Sequence, residues 1–519
     1  MSADAADLPL GAAARRAGIV AGGVALVAGA LTLNRDLVGV FYDDGVYAAI
    51  AWALAHGHGY VYANLPGAPA AIHYPPLYSA VLAPLFGFLS LAGAALAGKL
   101  LNVVCAAAAC GLIAWHATRT ELVGEGAPRW LAGVVVAAAA LAIPFLTMLV
   151  ALLSEPLFGL LLVAAVILAD RPPPRLASGS AALLAGGAAA LALLTRALGV
   201  AAGAGVVAWL YAARRGNVAQ ARPDPWRQAT LASLPLVAAG AGWGAWLLTQ
   251  GHALDPLLAT DYGSYFELLR AAGAGALGSR TADLARPLGV LTLNWVPSRL
   301  VYYLVGVPAL VVGVYGLACV ARRSAIGVTL VVYLAILACW PVPPDRFLWA
   351  VLPWLALAWA AGAVALWPRP RLRVPVALLA AALVAGYVRY ETRGFAGRWW
   401  ELSAQRISHT FAEVLPTLDS LPPDAVIASD HDPLVWLYTR RVAVPLYISS
   451  YWGAHVIEPP PPVHRAYLER QGVTHVLLAG NQADGKEELE RLLATYPGWL
   501  GIVRRWPDGA TIFVVHRAR

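Results

Sequence analysis

The chain has 519 residues, 60% of them hydrophobic and only 13% charged, with a formal net charge of +8. A soluble globular domain carries about 25% charged residues, so this composition excludes a wholly soluble fold. The positive balance does not point to nucleic acid either, because the arginines fall in small groups between apolar runs, as cytoplasmic membrane loops require.

A membrane-crossing helix needs about 20 mostly apolar residues for roughly 30 Å of hydrocarbon, and the chain offers about eleven such runs. Arg15 and Arg16 precede the first, near Gly18–Leu33, which places the N-terminus in the cytoplasm. That run has no Ala-x-Ala cleavage site followed by a soluble chain, so it reads as a retained span. Residues 34–96 then form the first outer loop. Within it, Leu77–Leu91 reads as an interfacial helix, because counting it as a span would reverse every later loop.

The next span lies near Leu96–His116, followed by spans near 130–148, 152–169, 180–196, 197–213, 230–249, 299–320, 325–341, 347–367 and 374–390. Every inner loop then carries arginine: Arg119 and Arg129; Arg171 and Arg175; Arg214, Arg215, Arg222 and Arg227; Arg322 and Arg323; Arg369, Arg371 and Arg373. The outer side holds 34–96, 250–298 and 391–519. Cys105, Cys110, Cys319 and Cys339 lie in apolar runs without a Cys-x-x-Cys pair, which fits helix packing rather than zinc or redox chemistry.

The tail reads differently. Ala425–Ser429, Arg441–Leu446, Thr474–Ala479, Leu500–Trp506 and Thr511–His516 have strand character, with Asp508-Gly509 as a hairpin turn. Glu401–Leu418, Val463–Gln471 and Lys486–Thr495 have helix character. The expected fold class is a polytopic α-helical membrane protein with a C-terminal soluble α/β domain: residues 1–390 as the transmembrane module, 391–519 as the extracytoplasmic domain.

Several outer residues carry chemistry. Asp43 and Asp44 open a helical stretch beside Tyr47; they suit a helix N-terminus, or a carboxylate base with one pKa raised by its neighbour. His73-Tyr74-Pro75-Pro76 opens the interfacial helix. Ser154-Glu155-Pro156 opens a span, with Ser154 or Glu155 as its cap. Arg196, at an outer helix end, breaks the positive-inside bias; it either snorkels or forms an anion site. Arg346 follows Asp345, with which it could form a local pair. His56-Gly57-His58 lacks a third metal ligand, and Asp430-His431-Asp432 reads as a strand-to-helix turn with a cap. There is no Walker-type phosphate loop.

The order acid pair and Tyr, Tyr-Pro-Pro-Leu, Ser-Glu, Leu-Thr-Arg, then Arg-Phe-Leu-x-x-x-x-Pro resembles the glycosyltransferase C superfamily. It is similar above all to the polyprenyl- or dolichyl-phosphate-mannose protein mannosyltransferases and the lipid A aminoarabinose transferases. The resemblance covers Gly18–Tyr390. It implies Asp43 as catalytic base with Asp44 as partner, and Arg196 and Arg346 as donor-phosphate ligands. Tyr47, His73, Tyr74 and Glu155 would line the substrate cleft. Phe347 and Ala350 depart from an Arg-Tyr-Leu-x-Pro-x-x-Pro signature, whereas Pro353 is kept.

The resemblance implies transfer of a sugar, a hexose or pentose, from a polyprenyl-phosphate carrier to an extracytoplasmic hydroxyl, with inversion. The acceptor is a glycan, lipid or protein. No cofactor is expected, although a divalent metal stays open. Membrane lipid is the other partner, and no nucleic acid is involved. The Ala- and Arg-rich, Lys-poor composition suggests a GC-rich bacterial genome, and the expected location is a bacterial inner membrane. The rival is a polytopic transporter or lipid flippase, but no internal repeat between the halves is visible.

Overall fold

The computed structural model describes residues 3–212, 224–251, 254–296, 298–480 and 485–516. Arg214, Arg215 and Arg222, expected on an inner loop, lie outside the described residues.

The chain is a polytopic α-helical membrane protein. Hydrocarbon offers no partner for backbone N–H and C=O groups, so the apolar runs satisfy them internally as helices. Among the described residues six helices are long and apolar enough to cross a membrane: Leu10–Thr32, Leu91–Arg119, Ser178–Thr195, Pro225–Gln250, Arg299–Ala321 and Pro370–Ala396. The other runs form shorter helices. The run expected over 130–148 is broken into Leu131–Leu141 and Ile143–Thr147, with Pro144 in the first turn of the second. Glu391, from the last long helix, accepts the Ile143 N–H there at 2.9 Å. The run over 347–367 likewise splits into Asp345–Ala350 and Leu352–Leu366.

Leu300, Leu304, Val307, Val311 and Val314 stand exposed along Arg299–Ala321. Such a stripe is a liability in water and a natural lipid-facing surface. The inner face of the same helix is lined by small residues. A Cβ on Gly316 would collide with the Ala358 carbonyl of Leu352–Leu366, so glycine permits the close crossing.

In the first loop the helices Asp43–Ala55 and Leu77–Phe88 pack together. At 12 residues the second is about 18 Å long, too short to cross. Loops expected on one side touch one another. Leu37 N donates to Ser408 Oγ at 3.0 Å, Val38 N to Tyr438 OH at 3.1 Å, and Thr260 Oγ1 to Ser449 O at 2.5 Å. The arginine-bearing loops form a second set: Ala325 N donates to Asp170 Oδ1 at 2.8 Å, and Arg323 Nη1 to Glu121 O at 3.4 Å.

The C-terminal segment carries β1 (Ile427–Ser429), β2 (Ala443–Pro445), β3 (Ser450–Trp452), β4 (His455–Ile457), β5 (His475–Leu478), β6 (Leu500–Arg505) and β7 (Thr511–Val515). One sheet has the order β2-β1-β5-β7-β6. β1 runs parallel to β2 and β5, while β7 is antiparallel to β5 and β6. The helices Leu402–Asp419, Asp432–Thr439, Pro461–Arg470 and Lys486–Thr495 complete it. The five expected strands are these five, and Gly509 turns β6 into β7 at φ +93°. The β3–β4 hairpin was not expected; its strands have three residues each and turn at Gly453.

Candidate active site

The site begins with a tight turn. Gly39 has φ +99°, and a Cβ there would lie 2.6 Å from Leu434 Cβ, so only glycine fits. Tyr42 follows at φ +62°, an unfavourable conformation for a bulky residue. The turn is held by Asp44, whose Oδ2 accepts the Gly39 N–H and whose Oδ1 accepts the Phe41 N–H, both at 2.9 Å. Asp44 is 1% exposed, and burial, offset by those two amides, pushes its carboxyl up to about 6. The expected raised carboxylate is therefore Asp44. Burial accounts for the rise, and both carboxylate oxygens are engaged by backbone amides of the turn.

Asp43, pinned one residue earlier, faces a cluster drawn from four separate stretches. Its Oδ2 lies 2.5 Å from Arg346 Nη1, and its Oδ1 accepts from Tyr74 OH at 2.7 Å. Burial by itself would raise the Asp43 carboxyl, but the Arg346 charge and the Tyr74 hydroxyl hold it below the usual carboxylate range. Arg346 Nε reaches Glu155 Oε1 at 2.5 Å, and Arg196 Nη1 reaches the same oxygen at 2.9 Å. Glu155 thus binds both arginines.

Arg196 does not snorkel. It is 7% exposed at the end of Ser178–Thr195, donates to Ser154 Oγ at 3.0 Å and lies over the Phe347 ring. Ser154 Oγ also shares a 2.9 Å hydrogen bond with Tyr47 OH. The Ser154 side chain makes no cap hydrogen bond to its helix, contrary to one of the two cap assignments. Nor do Asp345 and Arg346 pair locally: Asp345 binds Arg286 at 2.9 Å, which frees Arg346 for the cluster. Among the described residues Arg346 Nη2 and Glu155 Oε2 are buried without a hydrogen-bond partner.

His73 stands at the rim. Its Nδ1 donates to Gly263 O at 2.6 Å, and its ring packs on Tyr265 and Tyr74. Residues 256–272 therefore pass over the cluster, a role that no pattern in the sequence indicated. Beside them Asp432 is fully buried. Its Oδ2 accepts from Tyr262 OH at 2.5 Å and from Asn64 Nδ2 at 2.8 Å. The expected turn at 430–432 does open the helix Asp432–Thr439, but Asp432 also ties the C-terminal segment to both loops. His56 and His58 stack on Trp52, and no group of three His, Cys, Asp or Glu residues placed for a metal occurs among the described residues.

No protein-family model and no curated protein matches the chain. Solved structures do. The oligosaccharyltransferase of Archaeoglobus fulgidus in complex with zinc and sulfate aligns with a TM-score of 0.54 at 14% identity, over 96% of this chain and 73% of its own. The same organism's AglB, in complex with an inhibitory peptide and a dolichol-phosphate, aligns with a TM-score of 0.50 at 12% identity, over 97% and 74%. ArnT from Cupriavidus metallidurans in the apo state matches at 16% identity over 95% and 97%, with a TM-score of 0.46. The chain thus shares the fold of the A. fulgidus structures, a membrane helix bundle joined to a C-terminal sheet segment.

Proposed function

We propose that the chain is a membrane glycosyltransferase moving a sugar from a polyprenyl-phosphate carrier to an acceptor hydroxyl. One observation carries this reading above the others: a carboxylate, Asp43, is joined through Arg346 to a second arginine-binding carboxylate, Glu155. A base and two cations then converge at one place, as the chemistry requires. The acceptor oxygen attacks the anomeric carbon opposite the phosphate, and Asp43 takes its proton. The bond from the anomeric carbon to the phosphate oxygen breaks, and the configuration inverts. Polyprenyl phosphate leaves with added negative charge, which Arg346 and Arg196 stabilise through charge-assisted hydrogen bonds.

The unpartnered Arg346 Nη2 supports this division of labour, since it is a buried donor ready for a phosphate oxygen. Glu155 holds the two like charges close enough to act together, and Tyr47 fixes Ser154 against Arg196. The dolichol-phosphate bound to the A. fulgidus neighbour supports a lipid phosphate as donor. In this reading the site faces away from the cytoplasm in a bacterial inner membrane, the N-terminus is cytoplasmic, and residues 391–519 are extracytoplasmic.

The test is to supply the reconstituted protein with a panel of polyprenyl-phosphate sugars and measure free polyprenyl phosphate by mass spectrometry. Release by the wild type and not by Asp43→Asn supports the transferase and names the donor. Release from no donor, with membrane extract present as acceptor, rejects it.

A further inference from the structure

A second feature lies on the far side of the segment that covers the active cluster. Between residues 256–271 and residues 448–460 is a cavity of about 270 Å³. That is close to the lower end of small-molecule sites, roughly 300–1,000 Å³. We propose that this cavity binds a neutral, hydroxyl-rich saccharide and that this saccharide is the acceptor.

The lining decides the chemistry. Among the described residues no lysine, arginine or histidine lines it, whereas Glu267 and Glu458 do. A phosphorylated or otherwise anionic ligand would meet the Glu267 carboxylate, and the nearby Arg491 guanidinium is already held by Glu458. The two carboxylates and the Ser450 and Tyr451 side chains instead offer hydrogen-bond acceptors and hydroxyls. Glu267 spends Oε2 on Ser264 in a capping box, which leaves Oε1 to accept from a ligand. The Tyr451 hydroxyl makes no hydrogen bond to a described residue, so it too is available. Leu257, Leu268, Ile448 and Pro459 supply an apolar wall. A pyranose has this division, with one C–H face and a rim of hydroxyls.

Position ties the cavity to the cluster. Thr260 lines the cavity, and Gly263, three residues on, accepts from His73 at the rim of the cluster. One helical turn, about 5 Å of rise, separates them, and Tyr262 N→Leu258 O and Gly263 N→Ala259 O close that turn. The cavity and the cluster therefore share one turn of chain, and a saccharide in the cavity rests on the same segment that holds His73.

The role as acceptor rests on the transferase reading; binding does not. The experiment uses the full chain in lipid nanodiscs with fluorescently labelled neutral manno-, gluco- and galacto-oligosaccharides and their phosphorylated counterparts. Binding is read by polarisation for wild type, Tyr451→Ala and Ala271→Trp, the last placing a bulky ring at an exposed position of the cavity wall. At least one neutral saccharide binds wild type better than its phosphorylated counterpart, and either substitution weakens it about tenfold or more. Thermal unfolding of each variant checks its fold. Binding of no neutral saccharide, preference for the phosphorylated set, or binding unchanged in both variants overturns the cavity proposal. Release of polyprenyl phosphate is followed in the same preparations. Glycan binding without release from any donor rejects the transferase reading and leaves the saccharide site standing. Release without glycan binding does the opposite.

Discussion

Arg346 Nη1 lies 2.5 Å from Asp43 Oδ2, although 303 positions separate the two residues. The pair links the two halves of the proposed chemistry. While Arg346 rests on Asp43 it lowers the carboxyl's affinity for a proton, which makes a weak base. A donor phosphate drawing on the same guanidinium would release Asp43 and strengthen it as a base.

Arg346→Gln removes that cation. Asp43 then rises toward and above the ordinary carboxylate range, so the pH at which half of it is ionised increases. The acid limb of the rate profile is expected to move to higher pH, and the rate at its plateau to fall about 10²- to 10³-fold. Arg346→Lys, which keeps the charge, moves the limb less. An acid limb that stays in place in Arg346→Gln would show that Asp43 is not the titrating base.

Asp43→Asn and Asp44→Asn separate chemistry from architecture. The first is expected to lower transfer by about 10²- to 10⁴-fold, with a smaller loss of unfolding temperature than Glu155→Ala because Arg346 keeps Glu155. The second replaces an acceptor of two N–H bonds by a group with one acceptor oxygen, and costs about 1–3 kcal/mol of stability. Its acid limb stays where it is.

Asp44 also makes a pH prediction. Its folded-state pKa of about 6 exceeds the ordinary 3.8, so the folded protein holds this proton more tightly than the unfolded chain. Its contribution to stability is therefore greatest below pH 3.8, declines as pH rises through 6, and is flat above. Unfolding measured across that window is expected to lose this slope in Asp44→Asn.

Glu155→Ala leaves Arg196 and Arg346 facing each other without their shared counter-charge. Removing one partner of a buried ion pair typically costs about 3–5 kcal/mol. A marked drop in thermal stability is expected, partly restored by adding an anionic polyprenyl phosphate that takes the carboxylate's place. Stability equal to wild type would argue that the two cations are already compensated elsewhere.

Asp432→Ala breaks the bonds from Tyr262 and Asn64 that join the C-terminal segment to both loops. Limited proteolysis is expected to cut faster within 254–264, and transfer to fall because His73 loses the fixed Gly263 carbonyl. Cleavage at the wild-type rate would place the docking energy in the apolar contacts alone.

The sequence by itself determined the membrane class, because charge depletion and apolar run length are local properties that hydrocarbon enforces residue by residue. Alternation of arginine-bearing loops ordered the helices. Period-two runs and Asp508-Gly509 marked five strands, since those signals are also local. The breaks near Pro144 and Pro353 were foreseeable from proline's missing donor, yet hydropathy averaged over them. The residues of the cluster were visible one motif at a time: Asp43, Tyr74, Glu155, Arg196 and Arg346. Their partners were not. That Arg346 leaves Asp345 for Asp43 and that Arg196 turns inward to Glu155 are pairings between separate stretches of chain, decided by helix packing. The segment 256–272 carries a Ser264-x-x-Glu267 capping box that marks a helix but not where it packs, and the three-residue strands β3 and β4 are too short to show a period. Only the tertiary structure brought them together, because a cavity exists only between surfaces that the fold has already set in place.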